Sequence, residues 1–525
     1  MTALILVLFL ARQAAPPEKC SLSGTVVDSI TNLPLSKVDV IAEHVGKEPG
    51  ASTTTDAKGN FLIVDIDPGE YRVALRRNGY LDTHYGAKRP SGTGSAITLT
   101  AGQNMKDLRI KLVPFGVISG VLRDADGEPI LDENVNVYRS SRIGSETRML
   151  FVRNRQTDES GQYHIVDLPP GKYYVSAVYP GRTGLVDHSV RSPDRPAVPV
   201  TTFYPGTTDP AIARPVEVGA GSRMSGIDFA IIRSPMYRIG VHVDIAPGMR
   251  ASARLIYSVD GLYPAGGVFE ANSDGDLEIS DVPPGSYKVQ VFVNERDKPE
   301  LFCSTSVPVL VDRHDVEGLR ISLRACAVAS GRIAVEGPDK PSIPRGIQVD
   351  FEHGDRNAVV MPDGSFSTSL SPGVNNIDLS RITKEGGLYV KSIRSGTQDV
   401  LHNAFTVAAS EHIDLEVVLA SDGGRVEGVV SDADDQPVTG ATVVLIPSDP
   451  ALRLRFDFTK DAVTDQSGHF ELKNAAPGEY KLFAWDDIEP GSWFEPDVLR
   501  DYEAKGEPVT VKAKDTQSLK LHVIP

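Results

Sequence analysis

The chain has 525 residues with 47 glycines and 37 prolines, and no segment keeps a helical apolar period over several turns. This composition predicts an all-β protein, and the length is too great for a single domain. The formal net charge is −16, from 54 Lys and Arg against 70 Asp and Glu, and such a surface repels phosphate backbones. Nucleic acid is therefore excluded as an expected partner.

The N-terminal segment has an apolar run from Ala3 to Ala11 that is too short to span a bilayer, followed by Ala14 and Ala15. We expect residues 1–19 to be a cleaved signal peptide, which predicts a secreted, periplasmic or cell-surface protein without a transmembrane span. No Lys or Arg precedes the run and no clean small-x-small site follows it, and a wrongly assigned start would explain both. A frayed apolar tail is the alternative interpretation.

Five related segments repeat along the chain, at 55–75, 157–178, 273–291, 362–379 and 464–484. Each has a turn that ends in a glycine and, nine or ten residues later, a second glycine in a Pro-Gly turn. The glycine pairs are Gly59 and Gly69, Gly161 and Gly171, Gly275 and Gly285, Gly364 and Gly373, and Gly468 and Gly478. This regular spacing predicts one strand held between two structural turns in each of five modules.

The first copy shows what each turn requires. Asp56 to Gly59 predicts a four-residue type I turn, which we expect to shrink to a two-residue Asp-Gly hairpin in the third and fourth copies. Pro68-Gly69 predicts a second hairpin turn with positive φ at the glycine. Tyr71 then opens a strand whose alternate residues face the core. Because the fourth copy has Asn375 in place of this tyrosine, we expect that module to be the most weakly specified.

Paired strands precede and follow each repeat. A strand, a loop with proline and a second strand open modules one, two and five, and an alternating pair, such as 97–112 and 216–231, predicts a closing hairpin. We predict a tandem array of about five Greek-key β-sandwich modules of about seven short strands each. Their predicted ranges are 20–113, 114–234, 235–325 (degenerate), 326–420 (degenerate) and 421–525.

Modules one, two and five carry a fuller pattern: G-x-V-x-D, then P-x-x-x-x-V-x-V, then T-D-x-x-G-x-F/Y, then P-G-x-Y. This pattern resembles the carboxypeptidase regulatory-like domain, a transthyretin-like or prealbumin-like sandwich related to collagen-adhesin B-type repeats and starch-binding-like folds. Modules three and four carry only its second half. The resemblance implies the fold, whereas such domains occur as appendages of zinc carboxypeptidases, as plugs before outer-membrane barrels and as stalks of surface proteins.

The three cysteines do not form a disulfide framework. Cys303 and Cys326 flank the last strands of the third module, and an oxidising compartment would allow them to pair, leaving Cys20 unpaired. The sequence supports three buried, unpaired thiols equally well as an alternative.

Two patterns resemble metal sites. His314 to Glu317 is an H-x-x-E that resembles the first ligand pair of zinc carboxypeptidases, but a solvated turn explains it better because zinc catalysis needs a third ligand and a base. The acidic loops 124–127 and 432–435 offer carboxylates to calcium, and ordinary turn chemistry also accounts for them. We therefore predict no catalytic residue, no metal ligand and no cofactor.

The most binding-like segment runs from Trp485 to Tyr502 and holds both tryptophans of the chain. The possible ligand-binding residues are Trp485, Trp493, Phe494 and Tyr502. Exposed aromatic rings here, among seven carboxylates through Glu503, would suit a glycan or a basic peptide. The alternative is that these rings pack a long loop against the end of the sandwich.

The sequence thus predicts a secreted or cell-envelope, non-enzymatic scaffold whose partner is a protein or polysaccharide at the cell surface. A carbohydrate-binding protein that uses the aromatic loop of module five is the alternative, and a metal-dependent peptidase is a distant third.

Overall fold

The structure is a computed structural model and describes residues 18–45, 50–89, 92–143, 146–178, 197–245, 250–257, 267–293, 304–323, 325–337, 343, 346–351 and 357–525. The chain forms two compact units. The first is Met1–Pro114 with Asp434–Ala441 and Val463–His469, and the second is Phe115–Ala433, Thr442–Ala462 and Phe470–Pro525. The five ranges proposed from the sequence are kept below as labels, module 1 to module 5.

Module 1 is a two-sheet sandwich. Its strands are β1 (Cys20–Asp28), β2 (Asp39–His44), β3 (Ala51–Thr54), β4 (Asn60–Ile66), β5 (Gly69–Arg76), β6 (Thr83–His84), β7 (Ile97–Leu99) and β8 (Asn104–Leu112). One sheet has the order β4-β1-β8, with β1 antiparallel to β4 and parallel to β8. The other has the order β3-β2-β5-β6, and β7 also pairs with β5. Alternate residues of both sheets, such as Phe61 and Val73, form one buried core.

Module 2 repeats this plan with a longer second sheet. Its elements are β9 (Gly116–Arg123), β10 (Asn134–Ile143), β11 (Glu146–Gln156), β12 (Gln162–Leu168), β13 (Gly171–Val178), β14 (Val198–Pro199), β15 (Thr202–Phe203), a 3-10 turn (Pro210–Ile212), β16 (Val216–Val218), β17 (Arg223–Met224), β18 (Phe229–Ala230) and β19 (Arg233–Ser234). The sheets have the orders β12-β9-β17 and β11-β10-β13-β15, with β18 on β9, β16 on β13 and a separate β14-β19 pair.

Module 3 is the simplest sandwich. Its strands are β20 (Tyr237–Asp244), β21 (Ala251–Tyr257), β22 (Phe269–Glu270), β23 (Asp276–Val282), β24 (Gly285–Val293), β25 (Thr305–Val311) and β26 (Val316–Ser322). The sheets have the orders β23-β20-β26 and β22-β21-β24-β25.

Module 4 departs most from the plan. Its elements are β27 (Ala327–Glu336), β28 (Gln348–Phe351), β29 (Ala358–Val359), β30 (Ser365–Leu370), β31 (Gly373–Asn375), β32 (Ile377–Asp378), α1 (Ser380–Gly386), β33 (Tyr389–Ser395), β34 (Gln398–Asp399), β35 (Phe405–Val407) and β36 (His412–Ala420). The sheets have the orders β30-β27-β36-β33-β34, β29-β28-β32 and β31-β35.

Module 5 returns to the plan of module 1 and adds helical turns. Its elements are β37 (Gly424–Ser431), β38 (Thr442–Pro447), β39 (Lys460–Val463), β40 (His469–Ala475), β41 (Gly478–Trp485), 3-10 turns at Ser492–Phe494 and Glu503–Lys505, α2 (Pro496–Tyr502), β42 (Glu507–Val511) and β43 (Thr516–His522). The sheets have the orders β40-β37-β43 and β39-β38-β41-β42. The chain is therefore a tandem array of β-sandwich modules, as the sequence predicted.

The repeated turns connect opposite sheets. In modules 1, 2, 3 and 5, the strands before and after the Pro-Gly turn belong to different sheets, as β4 and β5 do. The closing pair is divided in the same way, because β7 pairs with β5 whereas β8 pairs with β1. The two predicted hairpins are therefore wrong: both are arches that carry the chain across the core.

The first turn of the repeat has the predicted four-residue form. The Gly59 N–H donates to the Asp56 carbonyl at 3.0 Å, while Asp56 Oδ1 accepts from the amides of Lys58 and Asn60. The turn glycines, Gly59, Gly161, Gly275, Gly364 and Gly468, all have φ between 70° and 87°. The expected shortening in modules 3 and 4 is wrong, since Gly275 bonds Asn272 and Gly364 bonds Met361 across the same four residues.

The second turn uses its glycine differently from the prediction. Gly69 and Gly373 have positive φ, but Gly171, Gly285 and Gly478 do not. Four modules instead place positive φ four residues before this glycine, at Asp65, Asp167, Asp281 and Asn474. Asp and Asn tolerate this region better than other residues, because their short polar side chains bond the local backbone.

The tyrosine after the second turn closes it. Tyr71, Tyr173, Tyr287 and Tyr480 each donate their hydroxyl to the carbonyl four residues earlier. In module 4, Asn375 is fully buried, and its Nδ2 donates to the Ser371 carbonyl at 3.1 Å, again four residues earlier. Asparagine therefore keeps the link that defines this turn.

A glycine in the opening strand of modules 1, 2, 4 and 5 allows a close backbone approach. A Cβ added to Gly24, Gly120, Gly331 or Gly428 would lie 1.9 to 2.3 Å from a carbonyl oxygen of Leu108, Ile227, Leu415 or Leu519 respectively. The opening strand can thus lie against the closing strand only where it lacks a side chain.

Neighbouring modules of the second unit share apolar clusters. Met149 and Phe203 of module 2 belong to the core of module 3, where Phe203 meets Tyr257 edge-to-face at 6.1 Å. Phe458 and Ala476 of module 5 belong likewise to the core of module 4. Buried side chains at these junctions hold the neighbouring sandwiches together.

Several expectations fall on residues at the margins of the described chain. Of the expected signal peptide 1–19, only Glu18 and Lys19 are described. Cys20 is a buried free thiol and Cys326 is disulfide-bonded, whereas Cys303 lies outside the described residues. Within the ranges given above, no helix has the length and apolar character needed to cross a bilayer.

Candidate functional site

The aromatic segment of module 5 folds back onto the end of its sandwich. Trp485 ends β41 and is 1% exposed, stacked on Phe483 with ring centroids 5.0 Å apart. Tyr502, at the end of α2, meets the same indole edge-on at 5.7 Å. Trp493 is 7% exposed and belongs to the same cluster. The two tryptophans thus form a wall of the core and are not exposed stacking platforms.

A second loop completes the site. Residues 448–459, between β38 and β39, bring Phe456 against Phe494 with ring centroids 4.4 Å apart. Between this loop and the segment 493–503 lies a pocket of about 480 Å³. Its lining residues are Pro450, Arg453, Leu454, Trp493, Phe494, Pro496, Leu499, Arg500 and Glu503. The structure therefore brings Trp493 and Phe494 to the pocket, but not Trp485 or Tyr502, which stand behind it.

Glu503 joins the two loops and the sheet. Its carboxylate accepts from Lys481 Nζ at 2.8 Å and from Arg453 Nη2 at 3.1 Å. The hydrogen bond from Lys481, followed by the charge of Arg453, lowers the pKa of Glu503 against the opposing effect of burial. The carboxylate is thus ionised at neutral pH and stabilises the pocket wall.

The charge of the pocket differs from that of the surrounding sequence. Of the seven carboxylates between Asp486 and Glu503, only Glu503 lines the pocket, beside the guanidinium groups of Arg453 and Arg500. Arg500 is exposed and donates to Asp497 at 2.7 Å. Two buried donors in the lining residues, Trp493 Nε1 and Arg453 Nε, have no acceptor in the part of the chain that the structure describes. The basic peptide suggested by the sequence therefore does not suit this pocket, whereas a ligand rich in acceptor oxygens does.

Sequence reasoning missed the loop 448–459 because it carries no motif and ends 26 residues before Trp485 and 34 residues before Trp493. The available signal was Leu-Arg-Leu-Arg-Phe at 452–456, which places exposed apolar side chains beside cationic ones in a loop between two strands. Leu454 is 62% exposed and Phe456 is 41% exposed. Large apolar side chains in such a loop indicate a surface that binds something or packs against another segment.

The sequence patterns that resembled metal sites are occupied by the protein's own contacts. His314 is exposed, and Glu317 pairs with Arg238 at 3.0 Å. Asp124 Oδ1 accepts from the amides of Asp126 and Glu128, which makes the loop 124–127 a self-bonded turn. Among the described residues, no three His, Cys, Asp or Glu side chains are grouped to hold a metal ion.

Residues 21–113, 117–202 and 425–490 match the family model of the carboxypeptidase regulatory-like domain. The chain carries this domain in tandem copies. The matches cover most of module 1, the first part of module 2, and module 5 as far as residue 490, which includes Trp485. The remaining residues of the pocket, from Trp493 onward, lie beyond the matched part of the carboxypeptidase regulatory-like domain.

Among curated proteins, colossin-A of Dictyostelium discoideum is 24% identical over 287 residues. That alignment covers 49% of this chain and 2% of colossin-A, so the chain spans only a small fraction of that relative's length.

Solved structures with similar folds include a streptococcal ancillary pilin, with 12% identity, coverage of 58% of this chain and 98% of that chain, and a TM-score of 0.20. A minor pilin of Streptococcus agalactiae has 10% identity, coverage of 42% and 97%, and a TM-score of 0.23. The shaft pilin SpaA of Lactobacillus rhamnosus GG has 13% identity, coverage of 42% and 98%, and a TM-score of 0.21. Similarities at this level assign no function to the carboxypeptidase regulatory-like array.

Proposed function

We propose that the chain is a secreted or cell-envelope, non-enzymatic scaffold that presents binding surfaces on a tandem array of carboxypeptidase regulatory-like domains. The observation that carries this proposal is the sharing of core side chains between neighbouring modules of the second unit. Phe203 packs into the core of module 3 and Phe458 into the core of module 4. Modules joined in this way hold surface sites at fixed separations, which is what a scaffold requires.

Two features support an oxidising location outside the cytoplasm. The apolar run Ala3 to Ala11 suits a signal peptide, and Cys326 is disulfide-bonded. The test is expression of the full chain with its own N-terminus, followed by N-terminal sequencing and thiol counting of the exported protein. We expect a cleaved N-terminus and, in denaturant, one thiol that reacts before reduction against three afterwards. An intact Met1 on a cytoplasmic product with three reactive thiols would contradict the location.

The absence of catalysis is tested on the same material. Purified protein, with and without added zinc, is incubated with a mixture of unstructured polypeptides, and release of new amino termini is measured. We expect none above the level given by a heat-denatured sample. Zinc-dependent release that survives repurification would contradict the scaffold and support the peptidase alternative.

A carbohydrate-binding function is the second candidate, and the pocket of module 5 favours it. The ring of Phe494 and the proline and leucine side chains offer apolar contact to a sugar ring, while Arg453 and Arg500 offer donors to its oxygens. The excess of cations over carboxylates in the lining favours a saccharide that carries carboxylates.

The test is tryptophan fluorescence of the full chain titrated with polygalacturonate and, separately, with neutral dextran. Because both indoles lie in or behind the pocket, we expect a saturable change with polygalacturonate only. Arg500→Ala should weaken it, whereas Arg72→Ala, which removes an exposed arginine on β5 of module 1, should not. No change with either polymer, or an equal loss in both variants, would remove the carbohydrate alternative.

A further inference from the structure

The edge strand β11 of module 2 is much longer than its counterparts. In every module, an edge strand pairs with the strand that follows the opening strand. In modules 1, 3, 4 and 5 these edge strands are β3, β22, β29 and β39. They have four, two, two and four residues, whereas β11 has eleven. Proteins usually keep such edges short because an unpaired edge is a template for another strand.

The outer edge of β11 is open within the described part of the chain. Among the described strands, only β10 pairs with β11, through a ladder from Asn134↔Gln156 to Ile143↔Glu146. No backbone hydrogen bond from a described loop reaches residues 149–156. No described segment therefore covers the backbone groups on this side, and an added strand can pair with them.

The strand is held in place from its inner side. Met149 is 5% exposed and packs with the core of module 3, and Tyr138 of β10 meets Phe151 edge-on at 6.0 Å. Leu150 and Phe151 are nonetheless 42% and 57% exposed. A fixed strand with two consecutive exposed apolar side chains is unusual for an edge that has no partner.

The charge of this hairpin is opposite to that of the protein. Residues 134–156 contain five arginines and one glutamate, in a chain with a net charge of −16. Arg155 is exposed and has no carboxylate partner among the described residues, whereas Arg153 pairs with Asp167 at 3.2 Å. Arg139 is exposed as well, but its guanidinium lies over Gly171 of β13, on the side away from the open edge. An acidic partner strand would place a carboxylate opposite the Arg155 guanidinium.

We propose that β11 docks an extended acidic segment of another protein, which adds as a strand to the open edge. Main-chain hydrogen bonds to residues 149–156 supply the geometry, Leu150 and Phe151 contact apolar side chains of the added strand, and Arg155 selects its carboxylates. A second copy of this chain does not suit the edge, because pairing β11 with β11 brings the arginines of both hairpins together.

The probe is a fluorescent seven-residue peptide of alternating glutamate and valine, and the measurement is its anisotropy with the full-length protein. The test variant is Arg155→Glu. The matched control is Arg72→Glu, which makes the same change in charge at an exposed position of β5. Circular dichroism melts establish that both variants are folded.

We expect saturable binding to the wild type and to the control, and an affinity about tenfold or more lower for the test variant. A peptide of the same sequence with N-methyl groups on alternate amides should lose binding, since it cannot complete the ladder. Absence of binding to the wild type, equal loss in the control variant, or undiminished binding of the methylated peptide would each overturn the proposal.

Discussion

The repeated turn segment of module 5, Asp465–Gly478, and the loop 448–459 of the same module use their side chains in opposite ways. In the repeat, Asp465 bonds amides of its own turn, and Tyr480 closes the arch through the Ala476 carbonyl. In the loop, Leu454 and Phe456 stay exposed, while Arg455 and Asp457 are buried as a pair. The repeat therefore builds the sandwich, and the segments that differ between modules are available for binding.

The largest effect is expected from the buried pair in that loop. Arg455 Nε donates to Asp457 Oδ1 at 3.0 Å, and the two side chains are only 12% and 1% exposed. Asp457→Ala should lower the free energy of unfolding by about 3–5 kcal/mol, because it leaves a buried guanidinium unpaired. Arg455→Met combined with Asp457→Leu should recover most of this loss.

The control for the buried pair is Asp497→Ala, which breaks the exposed pair with Arg500 and should cost less than about 1 kcal/mol. Urea unfolding followed by circular dichroism measures all three variants. Equal losses from Asp457→Ala and Asp497→Ala would show that the loop is not fixed at the junction with module 4.

The next effect tests the close approach of the opening and closing strands. Gly428→Ala would place Cβ 1.9 Å from the Leu519 carbonyl oxygen and should cost about 1–3 kcal/mol or more. Gly478→Ala is the matched control, since the atom nearest to its added Cβ would be Tyr480 Cε2 at an ordinary 3.5 Å. If thermal melts shift equally for both, the strands do not approach as described.

A smaller effect is expected where a tyrosine closes an arch. Tyr287→Phe removes the 2.9 Å hydrogen bond to the Pro283 carbonyl and should cost about 1 kcal/mol. Tyr174→Phe, on the half-buried neighbour of Tyr173, should change the free energy of unfolding by less than half as much. Urea titration compares the two variants. If Tyr287→Phe leaves the free energy of unfolding unchanged, the hydroxyl does not stabilise the turn of the repeat.

The smallest effect concerns pH at the pocket. The pKa of Glu503 is lowered in the folded state from 4.5, first by the hydrogen bond from Lys481. Its stabilising contribution is therefore present above pH 4.5 and is lost as the pH falls through the lower folded pKa. Melts of wild type and Glu503→Gln should differ at neutral pH and converge in acid. A difference between the two melting temperatures that grows on acidification would contradict a lowered pKa of Glu503.

The architecture was predictable because its signals are local and repeated. The glycine spacing located the turns, and the alternation around Tyr71 located a core strand. The crossing between sheets was missed because the same turn residues serve a hairpin and an arch, and only the pairing of β4 with β1 distinguishes them. The threonine before the turn was also missed: Thr55, Thr157 and Thr464 are buried and each bonds the loop after the opening strand.

The candidate site was predictable only in part. The sequence indicates both tryptophans as candidate binding residues of module 5. Their burial depends on α2 and on the loop 448–459, and neither segment belongs to the repeated pattern. The arginines that give the pocket its charge come from two segments far apart in sequence. Their meeting is a consequence of tertiary packing, which single-sequence patterns do not contain.

The most direct test of the division between building and binding segments is hydrogen–deuterium exchange of the whole chain, free, with the glutamate-valine peptide and with polygalacturonate. We predict slower exchange at 149–156 with the peptide and at 450–454 and 493–503 with the polymer. The repeated turns at 56–69, 158–171 and 465–478 should exchange equally in all samples. Protection confined to those turns, with none at β11 or the pocket, would contradict the account.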